Sequence, residues 1–532
     1  MVAKRRVNRK KLALAIGMAL TMGSTQADFP AALELSTLDG SNGFVINGVS
    51  ADDYSGRSVS NAGDINGDGF EDLVIGAPYA SPNGYYSGSS YVVFGSDQGF
   101  TSPFNLSSLN GTNGFVINGV NAGDVAGKSV SYAGDINGDG FDDLVIGAPY
   151  ASPNGNYSGS SYVVFGSDQG FTSPLELSSL NGTNGFAING VSSFDYAGVS
   201  VSAAGDVNGD GFDDLIIGAS GASPVENYSG ASYVVFGSDQ GFAGTLELSG
   251  LNGTNGFMIY GAEAYDSSGK SVSSAGDING DGIDDVIIGA PNASRVNSYS
   301  GASFVVFGSD QGFTSPLNLS DLDGNNGLAI YGAAESDFSG ISVSNAGDFN
   351  VDGIDDVVIG ARDADPNGAD SGASYVVFGS DQSFSSPLEL SGLNSSNGQV
   401  INGVSAGDYS GSSVSAAGDV NGDGFSDVII GAPESSPNGS NSGTSYVVFG
   451  ADAGLSSPLN LSTLDGSNGL AINGVDESDY SGFSVSGAGD INGDGVDDFL
   501  IGAYGVSPNG ASYVVFGRSD QTEDFIFANG FE

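Results

Sequence analysis

The sequence predicts an all-β fold, a seven-bladed β-propeller made of four-stranded blades. One motif, GDINGDGFEDLVIGAP at residues 63–78, recurs seven times at a fixed interval of 71 residues. Each interval contains four short β-like runs between turns rich in Gly, Ser, Asn and Pro, with no helical periodicity. A β-solenoid is the alternative architecture, although solenoid repeats are usually shorter than this one.

The four runs of the first repeat differ in composition. They are GFVINGV, SVSNAG, DLVIGAP and SYVVFGS, at residues 43–49, 58–63, 72–78 and 90–96. The last two runs are apolar at consecutive positions, which predicts strands that are buried on both faces. The SVSNAG run carries small side chains, which suits a strand that lies close to a crowded axis.

The two chain ends indicate how the ring closes. The first repeat begins with the run at residues 43–49, whereas the last repeat has three runs followed only by a tail. If each GFVING-type run is the outer strand of the preceding blade, residues 43–49 complete the blade begun by residues 484–517. The predicted propeller is therefore closed by its N-terminal strand.

Residues 1–27 are predicted to form a secretory signal peptide. The basic MVAKRRVNRKK is followed by the apolar LALAIGMALTMG and then by STQAD. A membrane anchor is the alternative, but an apolar run of about a dozen residues is shorter than the roughly 20 that a spanning helix needs. The predicted organisation is a signal peptide at 1–27, a lead-in at 28–42, the propeller at 43–517 and a tail at 518–532. The predicted location is secreted, on the cell surface or periplasmic.

The charge balance is strongly acidic. The chain has 12 basic and 63 acidic residues, and without residues 1–27 it keeps six basic residues and a net charge of −57. This balance excludes the basic footprint of a nucleic-acid-binding protein and favours a requirement for cations. An apolar content of 39% argues against disorder. Cysteine and histidine are absent, which excludes disulfides and removes the ligands of soft metals.

The acidic part of the motif, DINGDGFED at residues 64–72, is a candidate calcium loop. It begins like an EF-hand loop, but position 12 is Ile75 rather than Glu, and the apolar run that follows is too short for a helix. A phosphate-binding P-loop would need a Lys after its second Gly. A nine-residue hairpin loop instead offers side-chain oxygens at positions 1, 3, 5 and 9 and a carbonyl at position 7, a donor set that suits Ca²⁺.

Seven copies of this loop predict up to seven structural calcium ions. The alternative is that Asp, Asn and Gly serve only as turn formers. Mg²⁺ is less suited, because it prefers a rigid octahedron and keeps its waters. The position 4 glycine is replaced once, by Val351, and position 8 varies among Glu71, Asp142 and Ser426. The predicted ligands, with position 7 contributing its carbonyl, are Asp64, Asn66, Asp68, Phe70 and Asp72; Asp135, Asn137, Asp139, Phe141 and Asp143; Asp206, Asn208, Asp210, Phe212 and Asp214; Asp277, Asn279, Asp281, Ile283 and Asp285; Asp348, Asn350, Asp352, Ile354 and Asp356; Asp419, Asn421, Asp423, Phe425 and Asp427; and Asp490, Asn492, Asp494, Val496 and Asp498.

The stretch YSGRSVSNAGDINGDGFEDLVIGAP, residues 54–78, resembles the FG-GAP repeat of the N-terminal β-propeller of integrin α chains, a repeat also found in bacterial secreted proteins. Gly56 matches the glycine of FG, and the first intact GAP is at residues 76–78. The resemblance recurs seven times over residues 43–517. It implies calcium in hairpin loops on the lower face of the propeller and ligand contacts on the upper face. No later run is apolar enough to span a membrane, so an integrin receptor chain is not expected.

The loops of the upper face are the candidates for ligand recognition. The segments after GAP and before SVS differ among the repeats, whereas the lower-face segments stay nearly constant. Neutral drift is the alternative explanation. Tyrosines among Ser, Gly and Asn suit carbohydrate or protein surfaces. Asp53 and its counterparts are expected to cap turns, with a second cation as the alternative. The contact candidates are Tyr79, Tyr85, Tyr86, Tyr150, Tyr157, Tyr228 and Arg295.

The predicted function is that of an exported, calcium-binding, monomeric propeller that acts as a non-catalytic adhesion or ligand-binding module, as the resemblance to integrin α implies. Its predicted partner is an extracellular protein or glycan. Catalysis is poorly supported, because no Ser has an evident base and the carboxylate pairs occur in all seven copies. The alternatives are a carbohydrate-binding lectin and a polysaccharide-active enzyme that uses Asp, Glu, Tyr and Arg.

Overall fold

The fold is a ring of seven β-sheets, which are the blades of a propeller. The computed structural model describes residues 29–452 and 455–518, and its strands form seven five-stranded sheets. The predicted signal peptide, residues 1–27, and residues 519–532 of the predicted tail lie outside the described residues. The predicted seven-bladed all-β propeller is confirmed. The blades have five strands rather than the predicted four.

The strands of each blade are numbered from 1, nearest the central channel, to 5 at the rim. Strand 1 is Ser58–Gly63, Ser129–Gly134, Ser200–Gly205, Ser271–Gly276, Ser342–Gly347, Ser413–Gly418 and Ser484–Gly489 in blades 1 to 7. Strand 2 is Asp72–Ala77, Asp143–Ala148, Asp214–Ala219, Asp285–Ala290, Asp356–Ala361, Asp427–Ala432 and Asp498–Ala503. Strand 3 is Ser89–Val93, Ser160–Val164, Ala231–Val235, Ala302–Val306, Ala373–Val377, Thr444–Val448 and Ala511–Val515. Strand 4 is Gly114–Asn118, Gly185–Asn189, Gly256–Tyr260, Gly327–Tyr331, Gly398–Asn402, Gly469–Asn473 and Gly43–Asn47.

Strand 5 is the element that the sequence reading missed. It is Leu175–Glu176, Thr245–Glu247, Leu317–Asn318, Leu388–Glu389, Leu459–Asn460, Ala32–Glu34 and Phe104–Asn105 in blades 1 to 7. It runs parallel to strand 4. In six blades it comes from the connection between strands 3 and 4 of the next blade, and in blade 6 it comes from the N-terminal segment, so adjacent blades interlock. A 3-10 turn follows each copy: Leu35–Thr37, Leu106–Ser108, Leu177–Ser179, Leu248–Gly250, Leu319–Asp321, Leu390–Gly392 and Leu461–Thr463. A strand of two or three residues is too short to show an alternating pattern.

The core lies between the blades. Strands 2 and 3 are buried at every position in all seven blades, as their continuous apolar runs predict. The small side chains of strand 1 let neighbouring blades approach at the channel. There the backbone N–H of Val130 donates to the Ser58 hydroxyl of the preceding blade at 3.1 Å, and Val485 donates to Ser413 in the same way.

The N-terminal segment closes the ring at two blades. Gly43–Asn47 pairs antiparallel with Ala511–Val515 and completes the seventh blade, which confirms the predicted closure. Ala32–Glu34 also pairs with Gly469–Asn473 as strand 5 of the sixth blade. Phe29 is buried, with its ring 5.9 Å from that of Phe449. Residues 29–42 are therefore part of the propeller rather than a lead-in to it.

A pair of glycines brings adjacent blades into backbone contact. A Cβ on Gly289, in strand 2 of blade 4, would lie 2.1 Å from the carbonyl oxygen of Gly340 in the next blade. Gly76 and Gly127 stand in the same relation in the first two blades. Because this spacing leaves no room for a methyl group at Gly289 or at Gly76, glycine is required at these two strand 2 positions for the blades to pack.

We expect Gly289→Ala to destabilise the protein by about 1–3 kcal/mol, the usual cost of overpacking a core. A denaturant titration measures the change. Gly250→Ala is the control, because a Cβ at Gly250 would meet nothing within 4 Å. Equal stability of the two variants would contradict the close-packing explanation.

Candidate functional site

The seven predicted metal loops join strands 1 and 2 and share one conformation. In the first loop the Asp64 carboxylate accepts the backbone N–H groups of Asp68 and Gly69, both at 2.9 Å. The Asn66 side chain accepts the N–H of Asp68 at 2.8 Å, and Asp68 accepts the N–H of Phe70 at 3.1 Å. Their oxygens therefore line a tight turn whose tip, at Asp68 and Gly69, is exposed.

The position 9 aspartate lies deeper than the others and ties the loop to the blade. Asp72 is fully buried, and its Oδ1 accepts the N–H of Gly95, just after strand 3, at 2.8 Å. Its Oδ2 is buried without a hydrogen-bond partner. In the other six loops the second oxygen accepts the backbone N–H of the position 2 residue, as Asp285 does from Ile278 at 3.1 Å.

Burial is the main cause of the raised pKa values of these position 9 carboxyls. The pKa of Asp72 is raised to about 9, mainly by burial, and the neighbouring charges of Asp68 and Asp64 contribute to the rise. The pKa is raised to about 8 in Asp214, Asp285, Asp356 and Asp498. Burial also raises the pKa of Asp143 and Asp427 well above the ordinary range of an aspartate. The protein therefore disfavours the charged form of these carboxyls and supplies no positive charge that would stabilise it.

The loop oxygens fit a hard cation in kind, although they do not form a closed cage. Among the described residues no three carboxylates converge as they would around a bound metal ion. They turn instead to the backbone N–H groups of their own loop. A carboxylate has about four lone-pair sites, so accepting one or two hydrogen bonds leaves room for a cation. The buried, unpartnered Oδ2 of Asp72 is a donor atom of the required type.

The position 8 acid, which the sequence reading left without a role, links adjacent blades. Asp142 accepts the backbone N–H of Asp64, the first residue of the preceding loop, at 2.7 Å. The same bond joins four further pairs of neighbouring loops. Burial raises the pKa of Asp142, and the charges of Asp64 and Asp135 raise it further. Because position 8 lies at the blade interface in these five pairs of loops, the charge state of the loops acts on the packing of the ring.

The fifth loop keeps the common conformation despite its valine. Asp352 and Gly353 donate to the Asp348 carboxylate at 3.0 and 2.9 Å, as in the other loops. Val351 holds φ at +65°, where Gly280 of the fourth loop has +72°. A β-branched residue at such a φ is a genuine outlier, so the substitution strains the loop without reshaping it.

We expect Val351→Gly to stabilise the protein by about 1 kcal/mol, because a non-glycine residue in the left-handed region costs about 1–2 kcal/mol. Thermal melts and denaturant titrations measure the gain. The reciprocal variant Gly280→Val should lose a similar amount, because a Cβ at Gly280 would be in ordinary van der Waals contact with its nearest neighbours, at 3.4 and 3.5 Å, and the backbone strain would be the main cost. Two neutral variants would show that the loop bears no strain.

The predicted tyrosine contacts lie on the opposite, upper face, in the loops between strands 2 and 3 of blades 1 to 3. Tyr85 is 69% exposed and Tyr228 51%. The candidates meet further aromatic residues from the loops between strands 4 and 1. The ring of Tyr79 lies 5.3 Å from that of Tyr54, and Tyr157 lies 6.0 Å from Phe194. The remaining predicted contacts, Tyr86 and Tyr150, belong to the same patches.

Cavities open between these pairs of loops. They measure about 560, 470 and 460 Å³ in blades 1, 2 and 3. Each is lined by tyrosines and by one aspartate of the Asp53 series. Those aspartates cap turns, as expected: Asp195, for example, accepts the N–H of Ser192 at 2.8 Å.

Arg295 differs from the other contact candidates. Its guanidinium forms ion pairs with Glu263 and Asp266, and its side chain is only 8% exposed. Both carboxylates belong to the neighbouring upper-face loop. Arg295 therefore joins two loops, and little of its side chain is available to a ligand.

The FG-GAP repeat model matches six segments of the chain. They are residues 55–93, 129–164, 197–235, 268–306, 410–448 and 481–515. Each segment starts near strand 1 and ends with strand 3 of one blade, and it includes the acidic loop between strands 1 and 2. Six of the seven blades thus contain an FG-GAP repeat, in agreement with the resemblance that the sequence shows.

Its similar proteins fall into two groups. The chain is 29% identical over 255 residues to integrin alpha-5 of Xenopus laevis, across 46% of the chain and 21% of that protein. It is 32% identical over 184 residues to integrin alpha-PS5 of Drosophila melanogaster, across 35% and 17%. It is 30% identical over 262 residues to a phosphatidylinositol-glycan-specific phospholipase D of Dictyostelium discoideum, across 45% and 25%. The matches thus span a quarter or less of these relatives. Within residues 29–452 and 455–518, no helix has the length and hydropathy to cross a membrane.

Proposed function

We propose that this chain is an exported, calcium-stabilised propeller that acts as a non-catalytic adhesion or ligand-binding module. The observation that carries the proposal is the division of its two faces. The lower face repeats one oxygen-rich loop seven times, whereas the upper face places exposed tyrosines and cavities in loops that differ from blade to blade. Repeated chemistry suits a structural role, and varied aromatic surface suits recognition.

Calcium would be held by the side chains at positions 1, 3 and 5 and the carbonyl at position 7, with the position 9 carboxylate behind them. A bound ion supplies positive charge to carboxylates that the protein leaves uncompensated. Asp64 and its counterparts also meet the next blade through their N–H groups. Neutralising the loops would therefore stabilise the contacts between blades as well as the loops themselves.

The relatives support a binding role, and they include both integrins and an enzyme. An adhesion role is proposed from the likeness to integrin alpha chains, and the shared portion is about a fifth of those proteins. The likeness to a phospholipase D also covers only a quarter of that protein. The chain has no His or Cys, and its carboxylates recur in every blade instead of forming one distinct pair. We therefore propose a monomeric module that acts outside the cytoplasm on a protein or glycan.

A glycan array probed in calcium, with product analysis on every ligand that binds, tests this function. Binding without product is the expected result, and it should be lost in Tyr85→Ala, because Tyr85 is the most exposed aromatic of the upper face. A lower-face variant, Gln98→Ala, is the matched surface control. Product formation would instead establish an enzyme. If the protein bound neither a glycan nor an extracellular protein, that result would contradict a binding module.

A further inference from the structure

Seven positions form a ring at the upper mouth of the central channel. Each directly precedes strand 1 of its blade, and the hydrogen bonds between neighbouring inner strands hold these strands in a common register. The strands therefore begin at one level around the axis. The ring positions, in blade order, are Arg57, Lys128, Val199, Lys270, Ile341, Ser412 and Phe483.

This ring, the mouth ring, concentrates positive charge in a very acidic protein. Only six basic residues follow residue 27, and three of them are Arg57, Lys128 and Lys270. Burial is the main cause of the lowered pKa of Lys128, which is about 8, and the charges of Arg57 and Lys270 contribute to the lowering, so the three side chains act on one another. The three charges thus lie close enough to repel one another at the mouth.

No acid of the described chain neutralises these three residues. The ion pairs within residues 29–452 and 455–518 involve Arg295 and Arg362 only. The Nε of Arg57 is buried and has no hydrogen-bond partner. A protein with 63 acidic residues thus leaves three neighbouring cations unpaired at one place. Cations that lie close together without an acidic partner attract an anion from solution.

An aromatic surface leads outward from this charge. The Arg57 guanidinium lies over the rings of Phe483 and Tyr504, at 4.8 and 5.0 Å. The centres of the Tyr504 and Tyr54 rings lie 5.6 Å apart, and those of the Tyr54 and Tyr79 rings lie 5.3 Å apart.

The same surface continues to the rim through two more tyrosines. The centres of the Tyr79 and Tyr86 rings lie 4.9 Å apart, and those of the Tyr86 and Tyr85 rings lie 3.7 Å apart. These side chains border the cavity of about 560 Å³ that Asp52 and Asp53 also line. The two carboxylates disfavour negative charge in the cavity, so a ligand that follows this surface would place its anionic group at the mouth ring and a neutral part at the cavity.

We propose that the upper face binds an acidic saccharide, whose carboxylate or sulfate lies at the mouth ring and whose neutral sugar rings stack on the tyrosines between Tyr504 and Tyr85. The proposal rests on the upper face being the binding face, and it names the ligand class. Flat aromatic rings with hydroxyl groups suit sugars, and Arg and Lys supply charge-assisted hydrogen bonds to oxyanions.

Calorimetric titration in calcium buffer tests the proposal with four probes: an oligogalacturonate, a sulfated galactan oligosaccharide, a neutral galactan oligosaccharide and a hexaglutamate peptide. One of the two acidic saccharides is expected to bind at least about tenfold more tightly than the neutral one, the worth of one charged hydrogen bond. Which of them binds identifies carboxylate or sulfate as the anionic group.

The double variant Lys128→Gln/Lys270→Gln should lose that preference of about tenfold while keeping its melting temperature, because neither lysine is paired with an acid. Arg518→Gln is the charge-matched control, since Arg518 follows strand 3 of blade 7 at the lower face, with its guanidinium 5.2 Å from the centre of the Phe29 ring. For the aromatic surface, Tyr85→Ala should weaken binding of the acidic saccharide several-fold. Tyr265→Ala, at a tyrosine of another patch that is 60% exposed, should not.

Three results would overturn the proposal. Equal affinity for neutral and acidic saccharides would leave the upper face as a binding face but remove the role of the mouth ring. Binding of the hexaglutamate alone would assign the ring to a peptide. An unchanged preference in the lysine double variant would place the anion elsewhere. If none of the four probes and no extracellular protein bound, that result would overturn the proposed function itself.

Discussion

Deletion of residues 28–50 is expected to lower the melting temperature by more than about 10 °C or to abolish cooperative unfolding. The segment supplies strand 5 of the sixth blade and strand 4 of the seventh. Its large apolar side chains are buried in the ring: Phe29, Leu33, Leu35, Leu38, Phe44 and Ile46. Each contributes about 1.5–3 kcal/mol, so together they match the net stability of a typical protein, about 5–15 kcal/mol.

A circular permutation is the control for this deletion. In blade 1, four residues separate Gly95 from Phe100, the counterpart of Phe29. A chain that starts at residue 51, runs to residue 521 and continues with residues 29–50 places the same number of residues between Gly517 and Phe29. The permuted protein should melt close to the parent. An unchanged melt of the deletion variant would contradict closure by the N-terminal segment.

Removal of calcium is expected to have an effect of similar size. Positions 1, 5 and 9 place 21 aspartates in the seven loops, and position 8 adds six more acids, which together are 27 of the 63 acids of the chain. One site stabilises the fold by about 2.7 kcal/mol when the free Ca²⁺ concentration is 100 times its Kd, and the contributions of several sites add up. Melts in EGTA should therefore fall by more than about 10 °C, and added Mg²⁺ should restore less of the loss than Ca²⁺.

Salt provides the control for metal specificity. Monovalent salt screens repulsion between exposed loop carboxylates but cannot replace an ion that they coordinate. Raising the salt concentration in EGTA should recover only part of the lost melting temperature. Identical melts in EGTA and in calcium would mean that the loops serve as turns alone.

The propeller could be predicted because its information is local and repeated. Strand 2, such as Asp72–Ala77, is apolar at consecutive positions, and its position in a repeat of 71 residues fixes the number of blades. The closure by Gly43–Asn47 followed from counting strands at the two chain ends. Ala32–Glu34 could not be found in this way, because three residues that pair with a strand more than 400 positions later leave no local pattern.

The candidate site could be predicted only in part, for a related reason. The loop donors stand close together in sequence, so their spacing revealed them. The role of Asp142 depends on the N–H of Asp64, in another blade, and was not visible. The mouth ring likewise joins residues 71 or more positions apart, such as Arg57 and Lys128, and only ring closure brings them together. The sequence signals were the acid kept at position 8 in six loops and the few basic residues that share one phase of the repeat.

The central claim is that the seven lower-face loops bind calcium, and counting the ions tests it most directly. Calcium-depleted protein, dialysed against buffered Ca²⁺ and analysed by metal emission spectrometry together with native mass spectrometry, should bind several ions and approach seven at saturation. Asp64→Asn combined with Asp68→Asn should remove one ion from the total. A protein that binds no calcium at millimolar concentration, or a double variant that binds as many ions as the parent, would contradict the claim.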